Sequence, residues 1–187
     1  MDKRLDMLNR FYNEYDEDSR LVKSRQGQLE FLTTMHYINK LAKKGSKILD
    51  VGAGTGRYSI ALAKEGGIII VAFISVYAIV NTTYLQGDFK DGIKTYFDDN
   101  FRIKHLTEQL FTGFDIVEFE NLFLDKNVDK IATAAADSVF EIAERNSDFK
   151  MSDEDFELYL KYHLKTCEKR ELLGCSNHLL YVCCKNQ

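Results

Sequence analysis

The residues with the clearest chemical potential are Ile48-Leu49-Asp50-Val51-Gly52-Ala53-Gly54-Thr55-Gly56. An apolar strand running into glycines and then a helix lets the backbone pass under a ligand with no Cβ in the way. The helix start then offers free N–H groups to an electronegative part of that ligand. A phosphate-binding P-loop is excluded, because the second glycine of that motif would fall at position 57, where Arg57 stands. A dinucleotide fingerprint also needs its third glycine at that position, so a nicotinamide enzyme is disfavoured. The spacing is Gly-x-Gly-x-Gly, closed at Gly56.

That spacing, preceded by Ile-Leu-Asp-Val, resembles motif I of class I S-adenosylmethionine-dependent methyltransferases of the small-molecule type. Further segments extend the resemblance over nearly the whole chain. Gly66-Gly67 before Ile68 to Ile74 resembles the entry to the fifth strand of those enzymes. Gly113-Phe114-Asp115-Ile116-Val117 resembles the entry to the sixth, and His178 to Lys185 the seventh. Phe11-Tyr12-Asn13-Glu14-Tyr15 through Arg20 is similar to the helical cap that folds over the methyl donor. The resemblance implies an α/β fold, a shortened Rossmann-like methyltransferase fold with a mostly parallel sheet and an N-terminal helical cap. It implies S-adenosylmethionine as cofactor, with Asp50, Gly52, Ala53, Gly54 and Gly56 against it and Tyr12, Tyr15 and Arg20 beside it. Ser75, Tyr77 and Asn81 follow the fifth strand, at the edge where open α/β sheets bind ligands, and are candidate substrate contacts. No catalytic residue is assigned.

The chain between these blocks is short. In the family, strands two, three and four intervene between the glycine loop and the fifth strand. Here residues 57–67 take their place, an apparent internal deletion. The acidic residue that would hold the ribose hydroxyls has no counterpart, since no carboxylate occurs between Gly66 and Gly87. Two functions therefore stay open. One is S-adenosylmethionine-dependent methyl transfer to an unidentified small molecule. The other is a non-catalytic scaffold or interaction protein that binds the donor weakly or not at all. Unpaired sheet edges left by the shortening favour a homodimer or other homo-oligomer.

Composition narrows the remaining classes. The 187 residues fit one domain, divided as a helical cap over 1–44, a cofactor-loop unit over 45–66 and the rest of the sheet over 67–187. A net charge of −4 argues against nucleic acid as a partner. The apolar run from Ile68 to Val80 is shorter than the ~20 residues that span a bilayer, so no membrane role is expected. The charged start Asp2-Lys3-Arg4 lacks a secretory pattern and points to a cytoplasmic protein. Cys167, Cys175, Cys183 and Cys184 read as reduced thiols, and with four scattered histidines no metal site is expected.

Periodicity places the elements. Helical spacing covers the N-terminal segment up to the acidic break at Asp16-Glu17-Asp18-Ser19, then Ser24 to Lys44 with Phe31, Met35, Ile38 and Ala42 on one stripe and Gly45 after it. Strands are expected at Lys47 to Val51, Ile68 to Ile74, Asp115 to Phe119 and His178 to Cys184. The uniformly apolar Ile68 to Ile74 implies burial on both faces. A short helix is expected from Gly56 to Lys64, loop from Asn81 to Asn100 and a helical turn near Ile103 to Phe111. Val128 to Ala143 reads as an amphipathic helix. Another helix starts at Ser152, with Asp155 at the capping-box position and Phe156, Tyr159, Leu160, His163, Leu164 and Cys167 inward.

Overall fold

The strand that organises the sheet is Ile68–Ser75, β2, in a computed structural model that describes residues 3–14, 17–42, 49–50, 68–85, 87, 89–104, 106 and 112–185. On one side of it lie Leu49–Asp50 (β1) and Gly113–Phe114 (β3), both parallel to it. On the other lies His178–Lys185 (β5), antiparallel over seven registered pairs from Ile68↔Cys184 to Ile74↔His178. Beyond β5, Val128–Ala135 (β4) closes the order β1-β2-β5-β4. The fold is α/β with an open, mixed sheet. Because β5 alone is reversed, the carboxyl ends of β2 and β4 and the amino end of β5 share one edge.

The helices are α1 (Lys3–Glu14), α2 (Glu17–Lys23), α3 (Arg25–Leu41), α4 (Val76–Leu85), α5 (Phe89–Tyr96), α6 (Ile116–Asn121), α7 (Phe140–Glu144), α8 (Asp153–Thr166) and α9 (Arg170–Leu173). Ser24 caps α3 by accepting from the Gly27 N–H at 3.0 Å. Ser152 caps α8, accepting from the Asp155 N–H at 3.1 Å while its hydroxyl donates to the Asp155 carboxylate. The core runs along β5, where Leu179, Leu180, Tyr181, Val182 and Cys183 are all buried. Phe119 stacks on Phe73 at 3.7 Å between ring centroids, and Phe123 on Tyr181 at 4.3 Å. A second cluster joins Leu29, Phe140 and Phe156, binding α3 to α7 and α8.

Several expectations are corrected. Val128 to Ala143 is not one helix: its first half is β4 and only Phe140–Glu144 is helical. The run Ala132 to Ala136 is buried throughout, so its apolar periodicity fits either structure, and pairing with β5 decides for a strand. Asp115 to Phe119 is not a strand either. The Asp115 carboxylate accepts from the Val117 and Glu118 N–H groups and starts α6, leaving only Gly113–Phe114 paired. The stretch expected to be loop from Asn81 to Asn100 carries the end of α4 and all of α5. β2 is buried unequally on its two faces, with Phe73 and Ser75 buried on one and Ile70 and Ile74 half-buried and Ala72 exposed on the other. α3 ends at Leu41, and its buried side is Leu29, Glu30, Thr33, Thr34, Tyr37 and Ile38 rather than the Phe31–Met35 stripe. Gly45, the Gly56 to Lys64 helix and most of the Ile103 to Phe111 segment lie outside the described residues.

α2 and α3 meet at Gly27. A Cβ there would overlap the Arg20 carbonyl oxygen and stand 3.1 Å from Leu21 Cα. Gly27→Ala gains about 1 kcal/mol of helix propensity but forces this joint apart. We expect a net loss of roughly 1–3 kcal/mol in urea denaturation; a more stable variant would show that the close approach carries no weight.

Candidate functional site

At the shared strand edge, β4 ends on Ala134 and Ala135, and Ala136 leads to Asp137, whose side chain is fully buried. Its Oδ1 accepts from Ser176 Oγ at 2.6 Å and from the Asn177 and His178 backbone N–H groups at 3.1 and 3.2 Å. Its Oδ2 accepts from Gln26 Nε2 at 2.9 Å and from His178 Nδ1 at 2.7 Å. Ser176 Oγ in turn accepts from the Asp137 and Ser138 N–H groups at 3.2 and 2.9 Å. Ser138 is held in the left-handed region, at φ 53°, and its hydroxyl accepts from Tyr159 at 2.9 Å. One carboxylate thus ties together the end of β4, the start of β5 and the first turn of α3.

A second layer surrounds it. Glu141 of α7 accepts from Asn177 Nδ2, from Gln26 Nε2 at 3.4 Å and from Arg145 at 2.6 Å. Glu144 accepts from the Arg25 and Gln26 N–H groups, which are free donors at the start of α3. Arg20 of α2 forms a paired contact with Glu30, at 2.6 and 3.0 Å, and Glu30 is itself buried. Both of these charges act on His178.

The electrostatics follow from this packing. Burial opposes a charged imidazole at His178, but the Asp137 hydrogen bond and negative charge outweigh it and raise the pKa from 6.5 to about 9. Burial also opposes the Asp137 carboxylate, yet His178, Ser176 and Gln26 hold it below its ordinary 3.8. The His178 side chain remains 27% exposed, and its Nε2 has no hydrogen-bond partner among the described residues. His163 is the opposite case. Burial pushes it down to about 4, and it stays neutral with Nε2 donating to the Ala135 carbonyl at 3.1 Å.

Asp137, Glu141 and His178 place ligand atoms within 4.8 Å of one another, a spacing a metal ion can use. Their chemistry argues against it. Asp137 already accepts five hydrogen bonds, His178 Nδ1 is occupied as a donor, and both oxygens of Glu141 are engaged. The arrangement instead is a carboxylate–imidazole pair whose Nε2 has no hydrogen-bond partner among the described residues.

Of the residues singled out from the sequence, Ser75, Asn81 and Arg20 come to this edge. Ser75 is buried, donates its N–H to the Asn177 carbonyl at 2.9 Å and accepts from the Tyr77 N–H. Asn81 Nδ2 donates to Asn177 Oδ1 at 3.2 Å. The Tyr77 side chain is exposed. Asp50 ends β1, which points toward the same edge, but its side chain lies outside the described set. So do Gly52, Ala53, Gly54, Gly56 and Tyr15, and the side chain of Tyr12. Sequence reasoning missed Asp137, His178, Gln26, Glu141 and Asn177. The available signal was the polar triplet Ser176-Asn177-His178 opening an apolar strand, opposite Asp137 closing another. Neither a scan against models of known protein families nor a search of curated proteins finds a match for this chain. Among the described residues, no helix is long and apolar enough to cross a membrane.

Two histidines set opposite pH limits. The raised pKa of His178 gives stability that is complete below 6.5 and lost as pH rises through about 9. The lowered pKa of His163 gives stability that is complete above 6.5 and lost as pH falls toward about 4. Urea denaturation should therefore peak near pH 6.5 and lose on the order of 3 kcal/mol on each flank. His178→Gln should flatten the alkaline flank and His163→Gln the acid one. Constant stability from pH 7 to 9.5 in the unmodified protein would contradict the His178 assignment.

Proposed function

We propose that the chain is a methyltransferase domain of Rossmann-like type, transferring a methyl group from S-adenosylmethionine to a small molecule. The observation that carries this reading is the shared direction of β1 and β2. β1, whose sequence continues into Gly52-Ala53-Gly54-Thr55-Gly56, runs parallel to β2 toward the edge holding Asp137 and His178. Open α/β sheets bind ligands at that edge. By the motif resemblance, Asp50, Gly52, Ala53, Gly54 and Gly56 hold the donor, with Tyr12 and Tyr15 from the cap. Arg20, paired with Glu30, contributes by setting the charge around His178.

The donor, when bound, supplies a methyl carbon activated by sulfonium, whose bond to sulfur breaks with its electrons left on sulfur. The protein's task is alignment of the acceptor and management of its proton. Ser75, Asn177 and Asn81 form a hydrogen-bonded rim that fixes the backbone there. The second reading is a non-catalytic scaffold. It is favoured by the absence of any carboxylate between Gly66 and Gly87 to hold a ribose. Homo-oligomerisation belongs to both readings, as a way to complete the sheet beyond β1.

Isothermal titration with S-adenosylhomocysteine separates them. The methyltransferase reading expects saturable micromolar binding at one site per chain, weakened at least tenfold by Gly54→Val. No binding at millimolar ligand would leave the scaffold reading in its place.

A further inference from the structure

One face of α4 carries a carboxamide with unused hydrogen-bonding groups and, one turn before it, an exposed aromatic ring. We infer that Asn81 and Tyr77 recognise the methyl acceptor, and that this acceptor is a flat ring compound with a lactam-like edge, an N–H beside a carbonyl. Its role as methyl acceptor rests on the methyl-transfer reading.

The hydrogen bonds around Asn177 decide which atoms Asn81 presents. Glu141 pairs with Arg145 at 2.6 Å and so offers acceptors only. The Asn177 amide must therefore meet it through Nδ2. That turns Asn177 Oδ1 toward α4, where it accepts from Asn81 Nδ2 at 3.2 Å. Asn177 is buried, so this relay is held in place. Asn81 uses one amide hydrogen on it and keeps the other, together with its own Oδ1. Neither has a partner among the described residues, and the Asn81 side chain is half-buried.

Tyr77 stands four residues earlier, on the same side of the helix. Its N–H donates to Ser75 Oγ at 3.2 Å, which places it at the carboxyl end of β2. Val76 and Ala78 beside it are buried, whereas the Tyr77 side chain is exposed and meets no other ring among the described residues. An aromatic face next to a carboxamide suits a flat ligand, stacked on the one and paired with the other.

The pairing sets the edge of that ligand. A carboxamide with one N–H and one oxygen available is matched by an acceptor and a donor side by side, the way asparagine meets the edge of adenine. A carboxylate leaves Oδ1 without a donor, and an ammonium leaves the N–H without an acceptor. A lactam satisfies both. A site that pairs with a substrate N–H also rejects the analogue lacking it, because its own oxygen is then left unpaired.

The test is ¹H–¹⁵N NMR of the full chain titrated with 2-pyridone or N-methyl-2-pyridone, each with and without S-adenosylhomocysteine. The two pyridones share ring and carbonyl and differ in the N–H. 2-Pyridone should shift the Asn81 side-chain resonances and bind about fivefold tighter than its N-methyl analogue. Asn81→Leu should abolish that preference; the two pyridones on the unmodified protein carry the test if this variant does not fold. Tyr77→Ala should weaken both ligands, with rescue in Tyr77→Phe. Equal binding of the two pyridones, or binding of neither, overturns the recognition role while a response to S-adenosylhomocysteine upholds methyl transfer. A preference for 2-pyridone with no response to S-adenosylhomocysteine overturns the methyl-transfer reading and leaves Asn81 and Tyr77 as a lactam-binding pair.

Discussion

A carboxylate with no solvent contact must find its hydration inside the protein, and Asp137 does so with five donors. Three of those donors come from the consecutive residues Ser176, Asn177 and His178, one from the His178 ring and one from α3. Leaving a buried charge unpaired costs several kcal/mol. The register of β4 against β5 and the seat of α3 are therefore both constrained by a single side chain. The apolar ladder of β5 supplies bulk stability, while Asp137 decides how its amino end is held.

The same constraint sets the electrostatics of His178. A histidine at the start of a strand would ordinarily titrate near 6.5 and rotate freely in solvent. Against Asp137 it is oriented and held cationic at neutral pH. Glu141 and Glu144 reinforce this arrangement from α7 by binding the side chains and N–H groups around it. α2 and α3 contribute through Arg20 and Glu30, whose charges oppose one another at the ring. Structure and electrostatics at this edge have one origin.

Legibility in the sequence followed how local each signal was. The helix start at Ser24, the cap at Ser152 and the apolar strands at Ile68 and His178 were readable because each depends on a few neighbouring residues. β4 was not readable, because Ala132 to Ala136 fits a helix as well as a strand and only pairing with β5 resolves it. α4 carries no charge and no clear polar face, so its helical period was hidden. The site suffered from the same error: with Asp137 placed in mid-helix, nothing brought it to His178, 41 residues away. Ser75 and Asn81 could be placed at this edge because a strand end is a local feature.

Asp137 is the charged anchor of the β4–β5–α3 junction. Equilibrium urea unfolding of Asp137→Asn at pH 6.5 tests this most directly, since the amide keeps the shape and removes the charge. We expect destabilisation of about 3–5 kcal/mol. A variant within about 0.5 kcal/mol of the unmodified protein, the ordinary range for a surface change, would contradict it.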